Sequence, residues 1–347
     1  MASKSNVQSG QQDIDKHPVA EQDSIIGQVP IIDIGELVAD SSSTAANASI
    51  EQIAAACRDW GFFQVINHAI PAELIETVLQ QTGRMFALPL EEKLSVVRTK
   101  DNPWGFYNNE LTKNQRDKKE VFDFTHEGKD PIYGKSNRWP ADQNTFKATM
   151  LEYFDACTDL SLTLLEAFCI GLDLPAKYMH GDFASNHTGF MRLNYYPVND
   201  PLTASGIEHQ PVADLGIHHH TDAGALTVLL QDKVSGLQVY REGYWHNIQP
   251  VPGAMVINIG DMMQVWSNDT YHAAIHRVLA MDSIARYSLP FFFNPSASSQ
   301  VSPLPTVVNE QQPSHYNTIA WSSYRGLRTD GDYADYGTEV QISQYRK

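Results

Sequence analysis

Short β-type runs follow one another through the second half of the chain, from about residue 185 onward. There are eight such runs, and turn-favouring Gly, Pro, Asn and Asp residues lie between them. The eight runs are Phe190–Tyr196, Ala225–Leu230, Leu237–Tyr240, Trp245–Asn247, Ala254–Ile259, Met263–Trp266, His276–Leu279 and Arg286–Phe293. Many short strands at this spacing predict a double-stranded β jelly roll or a barrel.

The first half of the chain is mixed but helix-rich. Apolar residues recur at helical spacing over 49–60, 71–86 and roughly 143–172. The predicted class is therefore mixed α/β of the α+β kind. Four regions are predicted along the chain: a disordered tail (1–27), a helix-rich N-terminal region (28–185), a jelly-roll domain (186–300) and a C-terminal extension (301–347).

Charge and cysteine usage exclude several classes of function. The 347 residues include 25 Lys and Arg against 41 Asp and Glu, a formal charge of −16. Such a surface repels nucleic acid and anionic membranes, so we expect neither as a partner. The three cysteines are far apart and form no CxxC pair, and no signal-peptide or membrane-spanning run is present. We expect a cytoplasmic monomer that acts on a small molecule.

The segment Gly216–Asp222 contains three consecutive histidines followed by Thr and Asp. In an extended strand, His220 and Asp222 point to the same face. Together with His276, which opens a later strand, they supply two imidazoles and one carboxylate. That set is typical of the facial triad of non-haem Fe(II) oxygenases. His218 shares the face of His220 and is predicted to line the same pocket.

Two further polar pairs lie at i, i+2 spacing on predicted core strands. Arg286 and Ser288 share one face of the last core strand, and Asn194 and Tyr196 share one face of the first. A buried guanidinium needs a counter-charge, which the distal carboxylate of a dicarboxylate would supply. Taken together, these pairs and the histidines predict a single site inside the β core.

At these residues the sequence resembles the Fe(II)/2-oxoglutarate-dependent dioxygenases of the isopenicillin N synthase-like group. The likeness covers nearly the whole chain after the tail. The matching segments are Val29–Asp33, Trp60–His68, Asn194–Pro197, His220–Asp222, Gly236–Val239, Asn258–Asp261, His276–Val278 and Arg286–Ser288.

The resemblance implies a distorted double-stranded β-helix (jelly roll) core with a helical N-terminal region. It assigns Fe(II) to His220, Asp222 and His276, with O₂ as the oxidant. It assigns the cosubstrate 2-oxoglutarate to Arg286, Ser288 and Tyr196, with Asn194 nearby. Its substrate-stacking aromatics correspond to Phe292, Phe122 and Phe124, and Phe106 is a further candidate.

The implied reaction hydroxylates, desaturates or cyclises a small molecule, such as a secondary metabolite, with release of succinate and CO₂. Three alternatives stay open from the residues alone. They are a 2-oxoglutarate-independent iron oxidase like isopenicillin N synthase, a non-catalytic cupin-like binding protein, and a zinc hydrolase with the same ligands. The charged stretch Lys113–Glu120 is interpreted as a solvated segment.

Overall fold

The computed structural model describes residues 14–21, 28–112, 115–141, 143–200, 202, 215–333 and 340–347. Within these ranges the chain forms sixteen strands, numbered in chain order. They are β1 Ile31–Asp33, β2 Phe62–Ile66, β3 Gly105–Tyr107, β4 Leu111–Thr112, β5 Gln115–Arg116, β6 Glu120–Thr125, β7 Phe190–Tyr196, β8 Leu215–His220, β9 Leu226–Gln231, β10 Leu237–Arg241, β11 Tyr244–Asn247, β12 Met255–Ile259, β13 His276–Leu279, β14 Arg286–Phe293, β15 Gln300–Val301 and β16 Ile319–Ala320.

Eight α-helices lie in the described ranges, and none of them is long and apolar enough to cross a membrane. They are α1 Gly35–Ala39, α2 Asn47–Asp59, α3 Ala72–Phe86, α4 Leu90–Ser95, α5 Asn144–Gly171, α6 His180–Phe183, α7 Asp261–Trp266 and α8 Trp321–Tyr333. The three longest predicted helices are confirmed as α2, α3 and α5, each within two residues of its predicted ends.

Two sheets make up the β core. The large sheet has the order β1-β2-β12-β9-β14-β7-β6-β3, and the small sheet has the order β11-β10-β13-β8. Apart from the parallel pair β1–β2, neighbouring strands in both sheets are antiparallel. This arrangement of a large and a small sheet with flanking helices confirms the predicted jelly-roll fold of mixed α/β class.

The N-terminal region contributes both helices and strands to this core. Strands β1, β2, β3 and β6 extend the large sheet on its two edges, and α5 packs against that sheet together with α2 and α3. One apolar cluster joins Phe154 and Leu164 of α5 to Phe291 and Val228 of the sheet. The regions predicted on either side of residue 185 therefore share one hydrophobic core.

The turn between α2 and β2 depends on a glycine. Gly61 has φ of 62°, and a Cβ built on it would lie 2.1 Å from the backbone oxygen of His272. Any other residue would meet both backbone strain and a collision with the segment that leads into β13. The predicted helix end at Gly61 is thus confirmed.

The strand predicted over Met263–Trp266 is wrong, because these residues belong to α7. Five of the six residues of α7 are buried, so no polar face reveals a helical period. A short apolar run of this kind is compatible with a buried strand or a buried helix. The backbone N–H of Met262 donates to the carbonyl of Gly224, which satisfies one of the otherwise unpaired donors at the start of the helix.

Residues 14–21, which the sequence places in a disordered tail, are ordered in the structure. The Pro18 carbonyl accepts from the N–H of Trp245, and the Ala20 N–H donates to the Trp245 carbonyl, so the segment pairs with β11. Asp15 adds an ion pair with Arg277 at 3.3 Å. The prediction of disorder is wrong here, because contacts with distant strands hold a segment whose own composition is polar. The rest of the predicted tail, 1–13 and 22–27, lies outside the described residues.

Candidate active site

Three predicted ligand side chains meet at one point inside the β core. The Nε2 atoms of His220 and His276 each lie 3.7 Å from Oδ1 of Asp222. The three ligand atoms all lie within 4.8 Å of one another, a separation at which one metal ion could contact all of them. We call these residues the His–Asp–His group.

Neighbouring backbone and side chains fix how each ligand is presented. Nδ1 of His220 lies 2.7 Å from the His218 carbonyl, and Nδ1 of His276 lies 3.1 Å from the Ala274 carbonyl. Because a carbonyl only accepts, each Nδ1 carries the proton, and each Nε2 keeps its lone pair towards Asp222. Both imidazoles are therefore oriented as metal ligands.

The carboxylate is oriented in the same way. Oδ2 of Asp222 accepts from Thr227 Oγ1 at 2.5 Å and from Asn258 Nδ2 at 2.8 Å, which leaves Oδ1 facing the imidazoles. The backbone carbonyl of Asp222 accepts from the N–H of Asp261 at 2.7 Å. The loop that carries Asp222 is thus attached to β9, β12 and the first residue of α7.

The electrostatics favour a neutral imidazole beside an ionised carboxylate. Burial lowers the pKa of His220 well below its ordinary value, and the neighbouring His276 lowers it further. For Asp222, burial acts to raise the pKa, but His276, His220, Thr227 and Asn258 together hold it below its ordinary value. A divalent cation requires these protonation states from its ligands.

Arg286 lies fully buried on β14 and lines the same cavity as the His–Asp–His group. Its Nη2 donates to Gln231 Oε1 at 3.0 Å and its Nε donates to the Val234 carbonyl at 3.2 Å. Its Nη1 has no hydrogen-bond partner, and no carboxylate in the described part of the chain forms an ion pair with it. A buried guanidinium in this state fits an incoming carboxylate.

The other predicted anion contacts surround Arg286. Ser288 Oγ lies 3.5 Å from the Tyr196 hydroxyl and 3.4 Å from Asn194 Nδ2, both at the long limit of a hydrogen bond. Strand pairing places Arg286 beside Tyr196 and Ser288 beside Asn194. All four side chains line the cavity, so the residues present fit both an Fe(II) ion and a dicarboxylate.

The prediction that His218 lines the pocket is wrong. Along β8 and β13, His276 pairs with His220, but Val278 pairs with Ile217, so three steps on β8 oppose two on β13. This bulge interrupts the alternation of side chains, and Ile217 lines the cavity beside His220. Strict alternation therefore fails between Ile217 and His220.

Of the predicted substrate aromatics, only Phe292 lines the cavity. Phe106, Phe122 and Phe124 are fully buried and belong to the main hydrophobic cluster, so their placement in the pocket is wrong. On β6 the pairing Asp123 with Arg192 alternates with the pairing Phe122 with Leu193. The two phenylalanines therefore face the helices, and Asp123 faces the opposite side.

The segment Lys113–Glu120 is not a solvated segment where the structure describes its side chains. Arg116, Asp117, Lys119 and Glu120 are buried. Lys119 Nζ lies 2.7 Å from Glu110 Oε2, and both residues line the cavity. The sequence does not reveal that these charged residues are buried, because their ion-pair partners lie on other elements.

We call Arg98, Glu110, Lys119, Asp123 and Arg192 the ion-pair cluster. Arg192 forms ion pairs with Glu110 and Asp123, each at 2.8 Å. Arg98 lies 3.0 Å from Glu110 and 3.3 Å from Asp123. One signal for this cluster was available in the sequence: Arg192 shares the strand face of Asn194 and Tyr196.

Two family models match the chain. The model of the 2OG-Fe(II) oxygenase superfamily matches residues 187–295, which include the His–Asp–His group and Arg286. The model described as the N-terminal region of non-haem dioxygenases in morphine synthesis matches residues 29–142. Together the two matched ranges include strands from both sheets.

Curated relatives and solved structures agree with these matches. Protein DMR6-LIKE OXYGENASE 2 of Arabidopsis thaliana is 31% identical over 89% of this chain and 86% of its own length. Gibberellin 20 oxidase 1 of Arabidopsis thaliana is 34% identical over 91% and 83%. The structure of JOX2 in complex with 2OG, Fe and JA superimposes with a TM-score of 0.76 at 27% identity, covering 96% of this chain and 93% of that one.

Proposed function

Because the chain belongs to the family of Fe(II)- and 2-oxoglutarate-dependent oxygenases, we propose that the His–Asp–His group holds Fe(II) and that Arg286 receives the 2-oxoglutarate. The protein is an enzyme that uses Fe(II), 2-oxoglutarate and O₂ to oxidise a small-molecule substrate. In a hydroxylation, one oxygen atom of O₂ enters the substrate. The other enters the succinate that forms, together with CO₂, from 2-oxoglutarate.

The observation that carries the assignment is the convergence of the Nε2 atoms of His220 and His276 on Asp222 Oδ1, while each Nδ1 faces a backbone carbonyl. Two imidazoles and one carboxylate leave further coordination positions for a bidentate cosubstrate and O₂. Thr227 and Asn258 hold the second oxygen of Asp222, so they orient the carboxylate and keep it ionised.

The unpaired Nη1 of buried Arg286 supports the cosubstrate assignment. The guanidinium would pair with the distal carboxylate of 2-oxoglutarate, and the hydroxyls of Ser288 and Tyr196 would add hydrogen bonds to it. Asn194 lies beside Ser288 and supports its position. Burial of all four residues excludes water from this end of the cavity, which strengthens the charge pairing.

When bound, Fe(II) and 2-oxoglutarate supply the oxidising chemistry, in which decarboxylation of the cosubstrate is coupled to attack on a substrate C–H bond. The chain contributes the position of the substrate. Phe292 and Phe190 stack at 4.6 Å between ring centroids and line the cavity. They present an apolar surface to a sizeable, partly apolar substrate.

The substrate class and the assembly state complete the proposal. Relatives named for gibberellin oxidation and for flavonol synthesis support a secondary metabolite as the substrate, which is hydroxylated, desaturated or cyclised. We propose a cytoplasmic monomer as the form of the protein. The net charge of −16 disfavours nucleic-acid and anionic membrane partners. Sedimentation at several protein concentrations tests the monomer.

The test of the proposed function is Arg286→Met, measured by anaerobic titration of 2-oxoglutarate into the Fe(II) protein. In the wild type, the charge-transfer absorption of the iron-bound cosubstrate is expected to appear and saturate. In the variant, we expect the half-saturating 2-oxoglutarate concentration to rise by about 100-fold or more, as for loss of one partner of a buried charge pair. Iron binding itself should be retained.

Gln231→Glu is a matched comparison, because it places a carboxylate beside Arg286 Nη2. This internal counter-ion should compete with 2-oxoglutarate and weaken its binding. Succinate release in step with O₂ uptake distinguishes this enzyme from a cosubstrate-independent oxidase. An unchanged 2-oxoglutarate requirement in Arg286→Met would show that the anion site lies elsewhere.

A further inference from the structure

The cavity contains a second arginine, besides Arg286, that forms no ion pair with a carboxylate among the described residues. Arg325 lies on α8, where Trp321, Arg325 and Arg328 share the face that lines the cavity. Its guanidinium carbon lies 4.5 Å from the centre of the Phe190 ring. No hydrogen bond or ion pair to that guanidinium exists within the described residues.

Two further cations that line the cavity, Lys119 and Arg192, are paired with carboxylates of the protein. Lys119 pairs with Glu110 and Asp117 at 2.7 and 3.0 Å. Arg192 pairs with Glu110 and Asp123. Because carboxylates of the protein already neutralise these two cations, they offer little net charge to a ligand.

Arg328 is also held by the protein. Its Nη2 donates to the Thr221 carbonyl at 2.9 Å and its Nη1 donates to the Val340 carbonyl at 3.3 Å. Asp130 is the acid whose charge interacts with Arg325, but its carboxylate accepts from the backbone N–H groups of Ile132 and Tyr133. Arg325 is thus the half-buried cation of the cavity whose charge is left for a ligand.

α8 holds Arg325 on a rigid support. Trp321 Nε1 donates to Thr188 Oγ1 at 2.8 Å, and the Tyr324 hydroxyl donates to Asp261 Oδ2 at 2.8 Å. Both contacts are buried and lie within four residues of Arg325 in the sequence. The part of α8 that carries Arg325 is therefore held in place beside Phe190.

Strand pairing gives an approximate distance between a residue that contacts the His–Asp–His group and a residue that contacts Arg325. Thr227 on β9, Phe292 on β14 and Phe190 on β7 lie side by side in register. Adjacent strands are about 4.8 Å apart, so Thr227 and Phe190 are about 10 Å apart across this row. Thr227 donates to Asp222, whereas Phe190 contacts Arg325.

We propose that Arg325 binds a carboxylate of the organic substrate, which makes this enzyme an oxygenase of apolar carboxylic acids. The inference rests on the proposed function, because it takes the cavity to be the substrate site of the oxygenase. The Phe190–Phe292 pair contacts the apolar body of the acid. Because Thr227 and Phe190 are about 10 Å apart across the sheet, we expect the oxidised carbon to lie on the order of 10 Å from the carboxylate.

The test compares acids with their neutral amides. Phenylacetate, 3-phenylpropanoate, 4-phenylbutanoate and 6-phenylhexanoate are titrated under argon into protein saturated with Fe(II) and 2-oxoglutarate, each beside its primary amide. Saturation with 2-oxoglutarate keeps the probes away from Arg286. We expect the longer acids to bind at least fivefold more tightly than their amides, because only the acids pair with the guanidinium.

The preference for acids should disappear in Arg325→Gln and return partly in Arg325→Lys. Arg58→Gln, which alters an exposed arginine of α2, is the matched control and should retain the preference. The inference is overturned if wild type binds acids and amides equally, or if Arg325→Gln keeps the preference. Binding of 2-oxoglutarate, measured on the same samples, reports on the proposed function separately, because Arg325→Gln should leave it unchanged.

Discussion

Two sets of buried charges lie in and beside the cavity, and they differ in what neutralises them. In the ion-pair cluster, each cation contacts a carboxylate of the protein at 3.3 Å or less. Arg286 has no carboxylate of the chain as an ion-pair partner among the described residues, and the three His–Asp–His atoms converge on a point between them. Buried charges with protein partners hold the fold together, whereas those without partners indicate where ligands bind.

The two sets also differ in how the chain assembles them. His220 and Asp222 are two residues apart, as are Arg286 and Ser288, so local spacing already places each pair on one face. The ion-pair cluster joins five residues from 98 to 192, which lie on three separate connecting segments, on β6 and on β7. Its pairing exists only after the large sheet has formed.

Removing a ligand should have the largest effect on activity. Asp222→Ala takes away the carboxylate on which both imidazoles converge, so Fe(II) binding and turnover should fall by more than about 100-fold. Loss of a residue that only orients a metal ligand typically costs 10–100-fold, and Asn258→Ala should lie in that smaller range. Iron content after gel filtration and succinate release measure both variants.

The same substitution should lower stability without abolishing the fold. The contacts of Asp222 hold its pKa below the ordinary value, so the ionised carboxylate stabilises the folded protein at neutral pH. Its removal also leaves the buried donors of Thr227 and Asn258 without their acceptor, at a cost of about 1–3 kcal/mol. The urea midpoint of iron-free Asp222→Ala should therefore lie below that of the wild type, with a single cooperative transition retained. Full turnover by this variant would disprove the ligand assignment.

Loss of charge in the ion-pair cluster should instead destabilise the fold. Glu110→Gln leaves Arg98, Lys119 and Arg192 short of one buried counter-charge, so the free energy of unfolding should fall by about 3–5 kcal/mol. Urea denaturation measures this change. Glu127→Gln, at the exposed ion pair with Lys147, is the matched control and should cost less than about 1 kcal/mol.

Acid should affect the cluster in a defined direction. Burial acts to raise the pKa of Glu110, but Arg192, Lys119 and Arg98 hold it well below its ordinary value. A lowered pKa in the folded state stabilises the protein above the unfolded value near 4.5, and that contribution is lost as the pH falls towards the folded value. Wild type should therefore lose stability between about pH 5 and 3 more steeply than Glu110→Gln.

The smallest predicted effect concerns the aromatic residues. Phe292→Ala removes one ring of the cavity pair, so turnover of the substrate should fall by about tenfold relative to 2-oxoglutarate decarboxylation, consistent with loss of one aromatic contact of about 1.4 kcal/mol. The ratio of product to succinate measures this coupling. Phe122→Ala, in the hydrophobic core, should lower stability by about 3–5 kcal/mol and leave the ratio unchanged. Equal loss of coupling in both variants would contradict the assignment of Phe292 to the cavity.

The residues found from the sequence are those whose geometry follows from short spacing. Alternation along β14 correctly placed Arg286, Ser288 and Phe292 on the cavity side, because this strand is regular over its whole length. The same rule failed at His218, where a bulge interrupts β8. It left Arg325 unnoticed as well, because nothing in α8 itself indicates that one face of the helix closes a distant cavity.

Segments with strong local patterns thus determined the jelly roll, the main helices and the chemistry of the ligand set. Whether a polar or aromatic side chain meets solvent, a core or a cavity was decided by strands and helices distant in the chain. Residues 14–21, the buried charges of 116–120 and the three core phenylalanines all show this. The physical reason is that side-chain type and spacing set which face a residue occupies, whereas burial and charge compensation depend on what packs against that face.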